Sequence, residues 1–418
     1  MKHIVIIGAG PAGLMSAITL KEKIQEIGIE DKINITILEK NDRIGKKIMS
    51  TGNGRCNYSN INIYPEFYNN QNFVKPILES FSSNQLQDWF LERGLVSKVD
   101  SEGRVYPVSD HASSVVDLFR LLIAKNNITL KTSFDVKEIK IKKDKYLISN
   151  NEETLEADYI IMSTGGKAAP ALGSNGSGLN LLKGHKIKIT KTYPGLVGIK
   201  TTKETVKGLS GLRMKGEVSL YSQTKQLLYK ELGEVQFKDD GISGIVVMNV
   251  VSRLMHYDNK MILEIDLLPI LNEKNLKEYI LNKIKKYSDN NISELFTGLF
   301  HSSFSNKLFK DFSLNFNNKL SSLKEEHINN IINYIKHYKI DYLDTYGYDR
   351  AQVTVGGVSL DEINNTSLEL YKLPKIYVCG EIIDIDGMCG GYNLHFAYAS
   401  GNYVARKIID KLKQVTLW

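Results

Sequence analysis

Ile4-Val5-Ile6-Ile7-Gly8-Ala9-Gly10-Pro11-Ala12-Gly13 stands almost at the start of the chain, and its reading decides the fold. Four consecutive apolar residues read as a strand buried on both faces, the kind found in parallel sheets. From Gly13 to about residue 27 the apolar residues Leu14, Ala17 and Ile18 share one helical face. Between strand and helix, Gly8, Gly10 and Gly13 follow GxGxxG spacing. The first permits a tight turn, the second lets backbone approach a phosphate, and the third lets the helix pack close to the strand. Pro11 and Ala12 complete the turn. Backbone N–H groups and the positive end of a helix dipole then face one spot, which is what a pyrophosphate requires.

Outward from this turn, residues 33–38 form a second apolar strand that ends in Glu39. A carboxylate there accepts hydrogen bonds from ribose hydroxyls and repels a 2′-phosphate, which favours FAD or NAD over NADP at this position. Next comes Gly45-Lys46-Lys47-Ile48-Met49-Ser50-Thr51-Gly52-Asn53-Gly54-Arg55-Cys56-Asn57, dense in glycine, amide, hydroxyl and cationic groups. Such a loop can wrap a polar ring and a diphosphate, with Arg55 and a lysine balancing negative charge. Residues 157–163 read as another apolar strand, closed by Thr164-Gly165-Gly166, where glycine lets backbone approach a ligand.

Near the C-terminus the same grammar returns. A strand over residues 375–379 meets Gly380-Glu381, and Gly390-Gly391-Tyr392-Asn393 opens a helix whose positive end suits an anionic ring. The two ends of the chain are therefore expected to build one site. Cys56 and Cys389 lie in these loops and read as small packing side chains. His395 reads as a packing residue on its helix, without a catalytic assignment.

With 418 residues, the chain exceeds one typical domain of about 100–200 residues, so several domains sharing a site are expected. The net charge of +7 comes mostly from dispersed lysines and reads as solvated surface, which disfavours nucleic acid as a partner. Three cysteines without CxxC spacing disfavour a disulfide framework or a metal site and fit a reducing cytoplasm. No apolar run is long enough to span a bilayer. Three alternating segments, residues 128–132, 136–142 and 146–149, read as a small antiparallel meander. Between about residues 190 and 348, β-like segments such as 217–221 and 261–267 give way to a Lys/Asn-rich helical stretch, an insertion into the first domain.

The motif Ile6-Ile7-Gly8-Ala9-Gly10-Pro11-Ala12-Gly13, the loop ending Gly54-Arg55-Cys56-Asn57, and Cys389-Gly390-Gly391-Tyr392-Asn393-Leu394 together resemble one family. It is the bacterial NAD(FAD)-utilising dehydrogenases, or aminoacetone-oxidase-like FAD-binding flavoproteins. Gly103-Arg104-Val105-Tyr106-Pro107-Val108-Ser109, Val353-Thr354-Val355-Gly356-Gly357-Val358 and Gly380-Glu381-Ile382-Ile383-Asp384 extend the resemblance along nearly the whole chain. It implies an α/β fold: a Rossmann-type FAD-binding domain of the glutathione-reductase type, split by a β-barrel-like domain and a helical domain. The expected division is residues 1–190 and 347–418 for the split FAD domain, the latter including the return through the barrel edge, with 191–270 as barrel and 271–346 as helices. FAD contacts are implied at Gly8, Gly10, Pro11, Ala12, Gly13, Glu39, Lys40, Lys47, Thr51, Gly52, Asn53, Gly54, Arg55, Cys56, Asn57, Val136, Thr164, Gly165, Gly166, Gly380, Glu381, Gly391, Tyr392, Asn393 and Leu394. Asn53 stands where the family has a third glycine, and residues 237–245 lack its usual threonine and proline.

The expected activity is exchange of a hydride between flavin N5 and a small organic substrate. Two chemistries stay open, amine oxidation with oxygen as acceptor and reduction of a conjugated carbon–carbon double bond with a nicotinamide donor. With only one strand-embedded GxGxxG, NAD(P)H is expected to dock transiently. A basic FAD-binding protein acting on or with tRNA, and a flavin sensor without turnover, are the alternatives.

Overall fold

The computed structural model describes residues 1–257 and 261–416 and divides the chain into two compact units, Met1–Gly195 with Ala351–Trp418, and Leu196–Arg350. In the first unit, strands β1 (Lys2–Ile7), β2 (Ile33–Leu38), β3 (Thr129–Lys131), β4 (Tyr159–Met162), β5 (Glu369–Leu370) and β6 (Leu373–Val378) form one sheet. Its order is β5-β6-β4-β1-β2-β3, parallel throughout except for antiparallel β5 at the edge. Ile4, Val5 and Ile6 are wholly buried, as a strand covered on both faces must be. Helix α1 (Pro11–Glu26) follows β1, and helix α2 (Tyr392–Thr416) packs along it. Gly401 of α2 makes that packing close: a Cβ there would stand 2.3 Å from the Ala12 carbonyl oxygen.

One expectation needs correction. Residues 129–131 of the first meander segment leave it and pair in parallel with β2, as Thr36↔Thr129 through Leu38↔Lys131. The three-stranded meander is instead Glu138–Lys142, Lys145–Ser149 and Thr154–Ala157. Alternation over three residues does not reveal the partner strand, and the backbone pairing with β2 places it.

The second unit holds a seven-stranded antiparallel sheet in the order Tyr338–Ile340, Ile262–Asp266, Arg213–Tyr221, Leu227–Phe237, Gly241–Ser243, Ile199–Thr201, Tyr342–Thr345. The two outer strands are consecutive in the chain, separated by Asp341 alone. That short link draws the sheet's edges together and curls it towards a barrel. Both strands fall within residues 271–346, the stretch expected to be helical, whose helices are Glu273–Lys286, Ser302–Asp311 and Glu325–Lys336. Among the described residues, no helix is long and apolar enough to cross a membrane.

Candidate functional site

The carboxyl ends of β1, β2, β4 and β6 run into Gly8, Glu39, Ser163 and Cys379 respectively, so the glycine-bearing loops leave the same edge of the parallel sheet. The chain passes from β1 to β2 on one side, and β4 lies on the other, which makes this edge the switch point where open α/β sheets bind ligands.

The three glycines of the first turn have different physical reasons. Gly8 has φ +105°, and a Cβ there would lie 2.6 Å from the Ser163 carbonyl oxygen. At Gly13 a Cβ would meet the Gly8 oxygen at 2.0 Å. Gly10 is unlike both. Its φ of −84° is open to any residue, and no protein atom lies within 4 Å of where its Cβ would be. Neither backbone strain nor packing requires glycine at that position, which leaves the space over its backbone open. The helix it opens has no capping side chain, which leaves its first turn to an anion.

Glu39 is buried and faces this turn. Its Oε2 accepts from the Ala9 N–H at 2.8 Å, and its Oε1 accepts from the Asn41 N–H at 2.8 Å and from Asn41 Nδ2 at 2.7 Å. The Phe134 N–H donates to the Glu39 carbonyl at 2.9 Å, which brings the segment containing buried Val136 alongside. Lys40 donates to Asn175 Oδ1 at 2.8 Å. Burial lowers its pKa, opposed by the charges of Asp135 and Glu39. Beyond β4, the hydroxyls of Thr164 and Ser174 are buried without a protein partner on either side of Gly165. The Thr164 hydroxyl faces Gly178, where a Cβ would lie 1.9 Å from it. Gly166 leaves room for Thr354, whose Oγ1 would be 2.2 Å from a Cβ there and which accepts from the Lys167 N–H at 2.7 Å.

The loop that follows Gly45 folds as a short helix, Lys46–Ser50, and then a tight turn with Gly52, Asn53, Gly54 and Cys56 all at positive φ. Asn53, the departure from the family pattern, has φ 56°, a conformation that asparagine tolerates better than most side chains. Thr51 is tied locally to the Ile48 carbonyl, and Arg55 lies 4.7 Å over the Tyr106 ring. Cys56 is wholly buried and its thiol is pushed up to about 12 by burial, so it packs as a small apolar group and offers a ligand only backbone. Lys47 Nζ and Glu381 Oε2 form a 2.6 Å ion pair, and Glu381 Oε1 accepts from the Thr354 N–H at 2.8 Å. One carboxylate thus joins three segments distant in the chain.

At the far end, Gly380 (φ 74°) donates its N–H to Ser400 Oγ at 2.9 Å, and Gly390 and Gly391 turn at φ 129° and 101° into α2. With the Asn57 amide oriented to satisfy its neighbours, Nδ2 donates to Ser59 O at 2.8 Å and Oδ1 accepts from the Gly391 N–H at 3.1 Å. The Tyr392 carbonyl accepts from Tyr68 Oη at 2.8 Å. Asn393 spends its side chain on Gly387, accepting from its N–H at 2.9 Å and donating to its carbonyl at 2.8 Å. Leu394 remains partly exposed. The sequence reading singled out neither Ser59, Asn60, Ser163 nor Ser174. Ser59, Asn60 and Ser163 are polar residues whose partners come from another part of the chain, and Ser174 is brought beside Gly165 only by the fold.

A family model described as HI0933-like protein Rossmann domain matches residues 2–407. The chain is 30% identical over 416 residues to a 3-dehydro-bile acid delta(4,6)-reductase of Clostridium scindens, spanning 98% of this chain and 100% of the relative. It is 26% identical over 413 residues to a ribosomal RNA dihydrouridine synthase of Haemophilus influenzae, spanning 97% and 98%. Among solved structures, the 3-ketosteroid delta1-dehydrogenase of Sterolibacterium denitrificans aligns with a TM-score of 0.52 at 10% identity over 98% of this chain and all of that one, a likeness of fold.

Proposed function

The chain belongs to the HI0933-like FAD-binding Rossmann family of FAD-dependent oxidoreductases, and on that premise we propose that it reduces a carbon–carbon double bond conjugated to a carbonyl in a small organic substrate. When bound, FAD supplies a hydride donor at N5. The observation that carries the cofactor reading is Gly10, a glycine that the protein's own packing does not need, set opposite a buried carboxylate at the end of the next strand. In this reading the first turn of α1 would hold the pyrophosphate and Glu39 the adenosine ribose. Lys47 and Glu381 tie together the segments that would hold the ring.

One feature favours double-bond reduction over amine oxidation. The relatives' names, a delta(4,6)-reductase and a dihydrouridine synthase, both denote saturation of a carbon–carbon double bond. A reductive direction in turn needs an electron donor, and in this proposal NAD(P)H docks transiently to supply it. The cytoplasm is the proposed location, in keeping with three cysteines that show no CxxC spacing. The test is anaerobic: one sample of the FAD-loaded protein is treated with NADH or NADPH until bleached and then mixed with a conjugated enone, and a second, still oxidised, is mixed with aminoacetone. Return of the visible band on adding the enone supports the proposal. Bleaching by the amine alone, with no response to either nicotinamide, overturns it.

The dihydrouridine synthase relatives carry a second reading, in which the double bond belongs to a uracil ring in RNA. A salt-sensitive gel shift with ribosomal RNA, together with dihydrouridine formation, would favour it over a small-molecule substrate.

A further inference from the structure

Three buried polar groups beside the C-terminal glycine turn have no role in the contacts described above: the Ser83 hydroxyl, the Ser59 hydroxyl and the His395 imidazole. They form a continuous chain. Ser83 Oγ and Ser59 Oγ lie 2.9 Å apart, as do Ser59 Oγ and His395 Nδ1. Ser83 opens the helix Ser83–Glu92, Ser59 belongs to the two-residue strand Ser59–Asn60, and His395 lies in the first turn of α2.

Ser59 also forms a wall for the glycine turn. A Cβ at Gly391 would lie 2.2 Å from the Ser59 carbonyl oxygen, so the turn rests directly on that backbone. The Asn57 amide joins the same carbonyl to the Gly391 N–H, and Asn60 Nδ2 donates to the Gly390 carbonyl at 3.2 Å. Side-chain anchoring on one side of Ser59 and main-chain contact on the other link the imidazole to the turn. Burying a whole imidazole costs desolvation that an aliphatic side chain avoids. Burial pushes its pKa down to about 4, partly offset by the Phe81 carbonyl, so the ring is neutral at pH 7 and acts through hydrogen bonding.

We propose that His395 is a positioning residue: through Ser59 it sets the Gly390–Gly391 turn and hence the backbone groups that α2 presents to the flavin. The proposal rests on the FAD reading. Its test uses the full chain, reconstituted with FAD, and the variants His395→Leu, His395→Asn and Ser59→Ala. Readouts are the flavin absorption spectrum, the FAD dissociation constant and the flavin midpoint potential. His395→Leu and Ser59→Ala are expected to keep FAD but shift its spectrum and potential and weaken binding by roughly tenfold. His395→Asn, whose amide can still meet Ser59, is expected to stay within about twofold of the parent. The double variant Ser59→Ala/His395→Leu is expected to be no worse than either single change, since both cut one link. A parent-like spectrum and affinity in Ser59→Ala, or an Asn variant as impaired as the others, would overturn the proposal. Should His395→Leu fail to fold, the Ser59→Ala and His395→Asn pair decides. A parent chain that takes up no FAD would defeat the functional reading itself.

Discussion

Gly10 and Gly13 lie three residues apart in one turn, but a methyl group has opposite consequences at the two. Gly10→Ala adds a Cβ to open space at an ordinary φ, so stability is expected to stay within about 0.5 kcal/mol of the parent. FAD affinity is expected to fall by roughly 10–100-fold, the loss of a charge-assisted hydrogen bond of about 1.5–3 kcal/mol. Gly13→Ala drives its Cβ into the Gly8 carbonyl and is expected to cost at least about 1–3 kcal/mol of stability. Urea unfolding without cofactor, followed by FAD titration, separates the two. His395 gives a pH dependence whose sign follows from its lowered folded pKa: the unfolded chain takes up the proton first, so stability falls as pH drops from about 6.5 towards 4. Between pH 7 and pH 5 this amounts to ~2 kcal/mol, which His395→Asn should abolish in urea titrations at the two pH values. The glycines and Glu39 were legible because their requirements are local. Ser59 and His395 were not legible as a pair, because 336 residues separate them and neither residue's neighbours in sequence announce the contact.

At the scale of elements, the site depends on how closely α1 and α2 approach. Gly401 of α2 faces the Ala12 carbonyl oxygen, and Gly380 faces the Ala12 Cβ, so two glycines from the C-terminal portion close on one residue of the first turn. Gly401→Ala places a Cβ 2.3 Å from that oxygen and must displace the start of α1. A loss of about 1–3 kcal/mol is expected, together with weaker FAD binding, read from thermal unfolding with and without the cofactor. The β1, α1 and β2 elements were readable from apolar runs and glycine spacing. The three-residue strand Thr129–Lys131 was misplaced because its short sequence suits either sheet, and only its pairing with β2 distinguishes them. The barrel-like closure in the second unit depends on Tyr338–Ile340 and Tyr342–Thr345, strands that follow a long helical stretch and carry no sequence signal for their distant partners.

For the molecule as a whole, the first unit is assembled from both ends of the chain. Tyr193–Gly195 pairs antiparallel with Val353–Val355, with Gly195 opposite Val353, so the chain leaves this unit and returns to it at adjacent points. Replacing residues 196–350 by a short glycine-containing turn is therefore expected to leave a folded unit that still takes up FAD; equilibrium dialysis with FAD and far-UV circular dichroism check this. The measurement that most directly tests the assignment is the visible absorption spectrum of the purified full chain, before and after incubation with FAD and gel filtration. The expected result is the two-banded spectrum of oxidised flavin at one FAD per chain, lost in Gly10→Val while the protein stays folded. A colourless protein after reconstitution, or a Gly10→Val variant that binds FAD as the parent does, would contradict it.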